Sequence, residues 1–246
     1  MSNHLIFDNW IIRDFKMKWF CKYWPHVGMG VSAIAAVLLV IFWGDMSVLA
    51  RIHTLNFIAL GIHQFEEYVC PGGMGVVMNK MQSTITFSPL YKENAQIDRY
   101  PLNQMNAMVG NCFAFYLIYL LPIFLPDVLW LGMGPILFGM GFQVMMHCVV
   151  GNIKLGCFYN PGMGAVLLGH VPLGIYFFWY LSQNGLLTTT SVVSGVIYLI
   201  VFIVVFMLVT YKLCISYDDK WAYSEEEMNI GKAYAKRHFK NVHFEE

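Results

Sequence analysis

Long apolar stretches separated by shorter polar ones dominate the chain. Six of them, at 27–50, 51–68, 103–124, 127–150, 161–182 and 189–214, lie near the ~20 residues a helix needs to cross a bilayer. The pattern predicts an all-α protein, a polytopic membrane bundle of about six transmembrane helices. The stretch at 51–68 is the least hydrophobic. It is placed in the membrane because its neighbours leave it nowhere else to go. Ahead of the first stretch, Trp10, Ile12, Phe15, Trp19, Phe20 and Tyr23 interleave with Arg13, Lys16, Lys18 and Lys22, the pattern of an amphipathic helix lying on a membrane surface. The chain therefore divides into an amphipathic segment at 1–26, a transmembrane domain at 27–214 and a polar tail at 215–246. In the tail, Ser224 and Glu227 have capping-box spacing, which predicts a short helix.

Composition agrees with the pattern. Hydrophobic residues make up 58% of the chain and charged ones only 12%, against about 25% charged in a soluble domain. The net charge is zero, so nothing points to nucleic acid; the partners implied are membrane lipid and an apolar small molecule. Of the 15 basic residues, fourteen fall on one set of helix ends and Arg51 alone on the other. By the positive-inside rule both termini, the 69–102 loop and the 151–160 loop are cytoplasmic. That places the protein in a plasma or inner membrane as a multi-pass protein. The sequence leaves its oligomeric state open.

The chemistry gathers at 62–75, IHQFEEYVCPGGMG. On a helix, residues three and four apart share a face, so His63, Glu66 and Glu67 form one cluster. A lone cluster of this kind also fits a polar helix end wetted at the membrane surface. Depth argues for more. At ~1.5 Å per residue, His63 lies roughly 8 Å inside the cytoplasmic boundary, His147 about 5 Å, Asn111 about 12 Å and His170 about 14 Å. Gln143 sits one turn from His147. Four helices thus carry polar side chains into the same half of the bilayer. Glu66 and Glu67 need a counter-charge there, and no Lys or Arg lies within 53–68, 103–150 or 161–211. Imidazoles with carboxylates suit zinc or iron.

The residues His63-Gln64-Phe65-Glu66-Glu67, the Pro71-Gly72-Gly73 that follows, Tyr100-Pro101-Leu102-Asn103 and the Tyr-x-Pro-Gly turn at 159–162 together resemble the integral membrane proteins named for their HXXEE motif. The resemblance covers about 50–185. The Asn-x-x-x-His motif of that family is met here as Gln143-x-x-x-His147, a departure that keeps the amide. The resemblance implies an intramembrane polar site and names no substrate.

On this reading the protein is a metal-dependent enzyme acting on a lipid or other apolar substrate near the cytoplasmic face. His63, Glu67, His147 and His170 hold the metal. Glu66 is the general base or the ligand of a second metal, and Asn111, Gln143 and Tyr159 form a supporting polar shell. Water acidified by a metal suits hydrolysis, and two irons would suit oxidation. A proton- or cation-coupled transporter using Glu66 and Glu67, and a non-catalytic membrane subunit, are the alternatives. Finally, the loop at 69–102 is long, apolar until Lys92 and turned at Pro71–Gly73. It is expected to pack over the site as a cap across 75–90, with a short helix near 76–83.

Overall fold

The computed structural model describes residues 2–213 and 219–244, and within these the side chains outside 2–15, 113–115, 212–213 and 219. Eight helices and no strands are found among the described residues. They are α1 (Ser2–Ile41), α2 (Val48–Tyr68), α3 (Met74–Gln82), α4 (Gln104–Phe124), α5 (Leu129–Leu155), α6 (Met163–Gln183), α7 (Thr189–Tyr211) and α8 (Glu225–His238). Five helical stretches are long and apolar enough to cross a membrane: Lys16–Ile41 of α1, and α4, α5, α6 and α7. Their outward faces carry exposed apolar side chains such as Ile34, Val40, Leu168, Ile175, Ile197 and Val204.

Four of the eight described helix starts are set by local side-chain caps. Ser47 caps α2 by accepting the Ala50 N–H at 3.2 Å. Asn103 with Asn106, Thr188 with Ser191 and Ser224 with Glu227 form reciprocal boxes at the starts of α4, α7 and α8. The break between the first two helices falls at 42–47, a few residues before the expected boundary at 50, because Gly44 and Asp45 turn the chain ahead of the Ser47 cap. The backbone of α1 runs as one helix through Pro25. The segment expected at 1–26 is therefore continuous with the first apolar stretch. Of its amphipathic face, the side chains at 8–15 lie outside those described.

The weak hydrophobicity of α2 has a structural reason. This helix is the middle of the bundle, packed by α1, α4 and α6, so protein surrounds it. Leu49, Ile52, Phe57 and Leu60 are buried, and so are His53, Asn56, His63 and Gln64. The core is layered along α2. At the Arg51 end, Leu49 and Ile52 meet Met133, Ile136, Phe177 and Leu181. In the middle, Phe57 and Leu60 meet Tyr119, Phe138 and Phe202. At the other end, Cys21 and Trp24 pack on Met108.

Beyond that last layer, α3 and α8 close the bundle. Met74, Val77 and Met81 of α3 pack with Leu155 of α5, Ala235 of α8, and Phe239 and Val242 beyond it. The short helix expected in the 69–102 loop is thus present, about two residues early. Asn79 pins the rest of the loop. Its Nδ2 donates to the carbonyls of Ile97 and Leu102, and its Oδ1 accepts the Leu102 N–H at 2.8 Å. The sequence showed a helix in the tail but not where it docks. Lys22 Nζ meets Glu226 Oε2 at 2.8 Å, and Gln104 Nε2 donates to Glu227 at 2.7 Å.

Candidate metal centre

The turn at 159–162 enters the bundle between α5 and α6 and meets the end of α2. Gly162 has φ +99 and ψ −26 and offers no side chain to cap α6. The unpaired N–H groups of that helix start are satisfied from across the bundle. Glu66 of α2 accepts the Gly164 N–H at 3.0 Å and the Ala165 N–H at 2.8 Å, and the Tyr159 hydroxyl donates to its Oε1. Burial, reinforced by Glu66, pushes the Tyr159 hydroxyl above its ordinary range, so it stays a donor. A carboxylate at a helix N-terminus also complements the helix dipole. The structure therefore gives Glu66 a different place from the free base expected of it: its oxygens are engaged in joining α2 to α6.

Glu67 faces the other way, towards two histidines. Its Oε1 lies 3.3 Å from His147 Nε2, and its Oε2 lies 3.7 Å from His63 Nε2. The rings of His63 and His147 are nearly perpendicular, with centroids 4.9 Å apart. One ligand atom from each of His63, Glu67 and His147 can be chosen so that all lie within 4.8 Å of one another. Both histidines are buried and Glu67 is half-buried.

The tautomers follow from the partners. His63 Nδ1 lies 3.0 Å from the Gly162 carbonyl, which can only accept, so Nδ1 carries the proton and donates. Asn160 spends its Nδ2 on the carbonyl of His147 and on Asn152 Oδ1, both at 2.8 Å. Its own Oδ1 is thereby turned to His147 Nδ1 at 2.7 Å and accepts from it. In its neutral form each imidazole then turns the lone pair of Nε2 to the space beside Glu67. An oxygen acceptor on the far nitrogen is the usual partner of a metal-binding histidine.

The donor set fits a divalent cation of the zinc or iron kind. His63, Glu67 and His147 could hold it. His170, expected as a fourth ligand, stands next to the group but is not part of it. Its ring centroid is 6.0 Å from that of His63. Its Nδ1 is bonded to Asn56 Oδ1 at 2.7 Å, and its buried Nε2 has no hydrogen-bond partner among the described residues.

The expected polar shell divides. Tyr159 holds Glu66. Asn111 accepts from Gln64 Nε2 at 3.0 Å and reaches Tyr68, one step from the group. Gln143 lines a cavity beside Glu67 and His147, but the amide bonded to His147 is Asn160. Sequence reading passed over Asn160 and Gly162, although both stand inside the Tyr-x-Pro-Gly turn it had singled out. Wide, i→i+5 turns run through Val109–Tyr116, Phe138–Gly151 and Val166–His170. These stretches carry Asn111, His147 and His170, and such turns are frequent at functional sites.

Residues 54–177 match the sequence profile of a family described as proteins of unknown function with an HXXEE motif. The chain belongs to that family. No curated protein and no solved structure matches it. In this member of the HXXEE family the motif splits by face. His63 and Glu67 look into the candidate metal centre, while Glu66 ties α2 to the start of α6.

Proposed function

We propose that the protein is an intramembrane metal-dependent enzyme acting on a lipid or other apolar substrate. In this reading α2 is a sixth span beside the five apolar ones, both termini are cytoplasmic, and the protein sits in a plasma or inner membrane. The packing of α3 and α8 against Leu155, beside the 151–160 loop, and the fourteen-to-one distribution of basic residues in the sequence support that orientation. The observation that carries the metal reading is the pair of Nε2 atoms, 3.3 and 3.7 Å from one carboxylate, on two rings whose other nitrogen is held by an oxygen acceptor.

A bound zinc or iron would supply Lewis-acid polarisation of a substrate oxygen. The chain supplies the rest. Gly162 and Asn160 hold the imidazoles in the ligating tautomer. Glu66 and Tyr159 keep the 159–162 turn against α2, and α3 lines the cavity beside Glu67 and His147. The choice between hydrolysis and oxidation follows from the metal. Elemental analysis of the purified protein is the test: zinc or iron near one per chain, lost in His147→Ala, is the expected result. Protein that carries no metal and fails to take up added zinc, iron or cobalt would end the metal reading.

A second reading, proton or cation transport, draws on the polar line along α2. His53 of α2 and His170 of α6, the latter bonded to Asn56 of α2, are buried, and their Nε2 atoms have no hydrogen-bond partner among the described residues. Proteoliposomes would decide it. A pH- or cation-driven flux abolished by His170→Ala would favour transport, and tight vesicles would remove it.

A further inference from the structure

On the side of Glu67 and His147 away from the 159–162 turn lies a cavity of about 130 Å³. An enclosed apolar cavity of ~150 Å³ accommodates benzene, so this one has room for about six heavy atoms: a polar head and the first carbons of a chain. Met74, Met78, Met81, Met146, Phe142 and Phe206 line it. Methionine walls adapt to chains of varied shape.

Beside Glu67 and His147, the polar lining is Tyr68, Asn106, Asn111, Gln143, Thr210 and Tyr211. Asn106 is engaged in the cap of α4 and by the Pro101 carbonyl, and Asn111 by Gln64, the Ala107 carbonyl and Tyr68. Thr210 is 1% exposed and its Oγ1 has no hydrogen-bond partner among the described residues. Gln143 has no hydrogen-bond partner among the described residues. A buried unpaired hydroxyl is costly and calls for a guest atom. Among the described residues no Lys or Arg lines the cavity, and Glu67 is the sole carboxylate in its wall.

We infer that this cavity takes the polar end of a neutral amphiphile, an uncharged hydroxyl or carbonyl oxygen on an alkyl chain. The inference rests on the metal-enzyme reading and names its substrate class. Phosphate and carboxylate heads are normally met by Arg or Lys, and the described lining holds neither. A divalent cation in the centre leaves one net positive charge after Glu67, which repels an ammonium head. A carboxylate would answer that charge only by shedding its water against Met and Phe, with the uncharged donors Thr210, Gln143, Tyr68 and Tyr211 to replace it. An uncharged oxygen costs far less to strip.

The test uses the full chain in detergent, metal-free and zinc-loaded, with photoreactive twelve-carbon probes ending in an alcohol, a carboxylate or a trimethylammonium. The alcohol should label residues 74–81 and 142–146 about tenfold over the other two, and unlabelled dodecanol should compete. Thr210→Val should cut that labelling by about threefold to tenfold, the worth of one hydrogen bond, and Gln143→Lys should turn the preference towards the carboxylate. Thermal melting checks that both variants fold. Equal labelling by all three heads, a carboxylate preference in the unaltered protein, or labelling confined to the outward faces would overturn the inference. Selective alcohol labelling in a protein that takes up no zinc would sink the metal reading alone. Zinc uptake that depends on His147, without head-group selectivity, would sink the substrate class alone.

Discussion

Replacing Gly162 by alanine puts one methyl group at the point where the candidate centre is tightest. A Cβ there would stand 2.7 Å from His147 Cε1, 2.9 Å from Glu67 Cγ and 2.9 Å from His63 Cε1. All three proposed ligands would have to move. The backbone adds to the cost, since φ is +99, a conformation side chains other than hydrogen resist by on the order of 1–3 kcal/mol. Overpacking contributes roughly another 1–3 kcal/mol. The carbonyl that accepts from His63 Nδ1 belongs to the same residue, so relaxation of the strain also turns the ring. Loss of a hydrogen bond that orients a ligating imidazole weakens metal binding by about 10–100-fold. Metal affinity should be measured by chelator competition beside thermal melting in detergent, with Gly30→Ala as control, because a Cβ at Gly30 meets nothing within 4 Å. The expected result is a lower melting temperature and at least tenfold weaker binding for Gly162→Ala alone. Unchanged affinity in a protein that melts like the parent would refute the placement of this turn against the ligands.

Other expectations follow from neighbouring contacts. Asn160→Ala removes the acceptor that fixes His147 and should cost about 10–100-fold in metal affinity; a titration that matches the parent would show that the tautomer is set otherwise. Glu66→Ala leaves two N–H groups of α6 and the Tyr159 hydroxyl without their acceptor, and should lower stability by on the order of 1–3 kcal/mol. Restored melting in Glu66→Gln would mark the role as hydrogen bonding, and full loss of activity at unchanged stability would return Glu66 to the chemistry. Burial raises the Cys157 thiol above its ordinary 9.0. The thiolate is the reacting form, so alkylation at neutral pH should be slower than at exposed Cys70, quickening as pH rises past 9.0; rapid alkylation at pH 7 would contradict the burial.

The sequence by itself determined the elements and the depth of the chemistry. Apolar runs marked the helices, since a span needs only length and hydropathy, and the Ser224–Glu227 spacing marked α8, since a cap is a local bond. The shared depth of His63 and His147 was also legible, because rise per residue converts numbering into height. Height is not azimuth. Only the tertiary structure decided that Glu67 and Glu66, one residue apart, serve opposite sides of α2. Only packing decided that His147, not His170, completes the three-residue group, and that Asn160 rather than Gln143 orients it. Gln143 was favoured because an i, i+4 neighbour is what periodicity can see. Asn160 is thirteen residues away and reaches His147 through a turn whose course depends on α2, α5 and α6 together. The same holds for α8: its cap is written in four residues, but its seat on α3 exists only once the chain between them has folded.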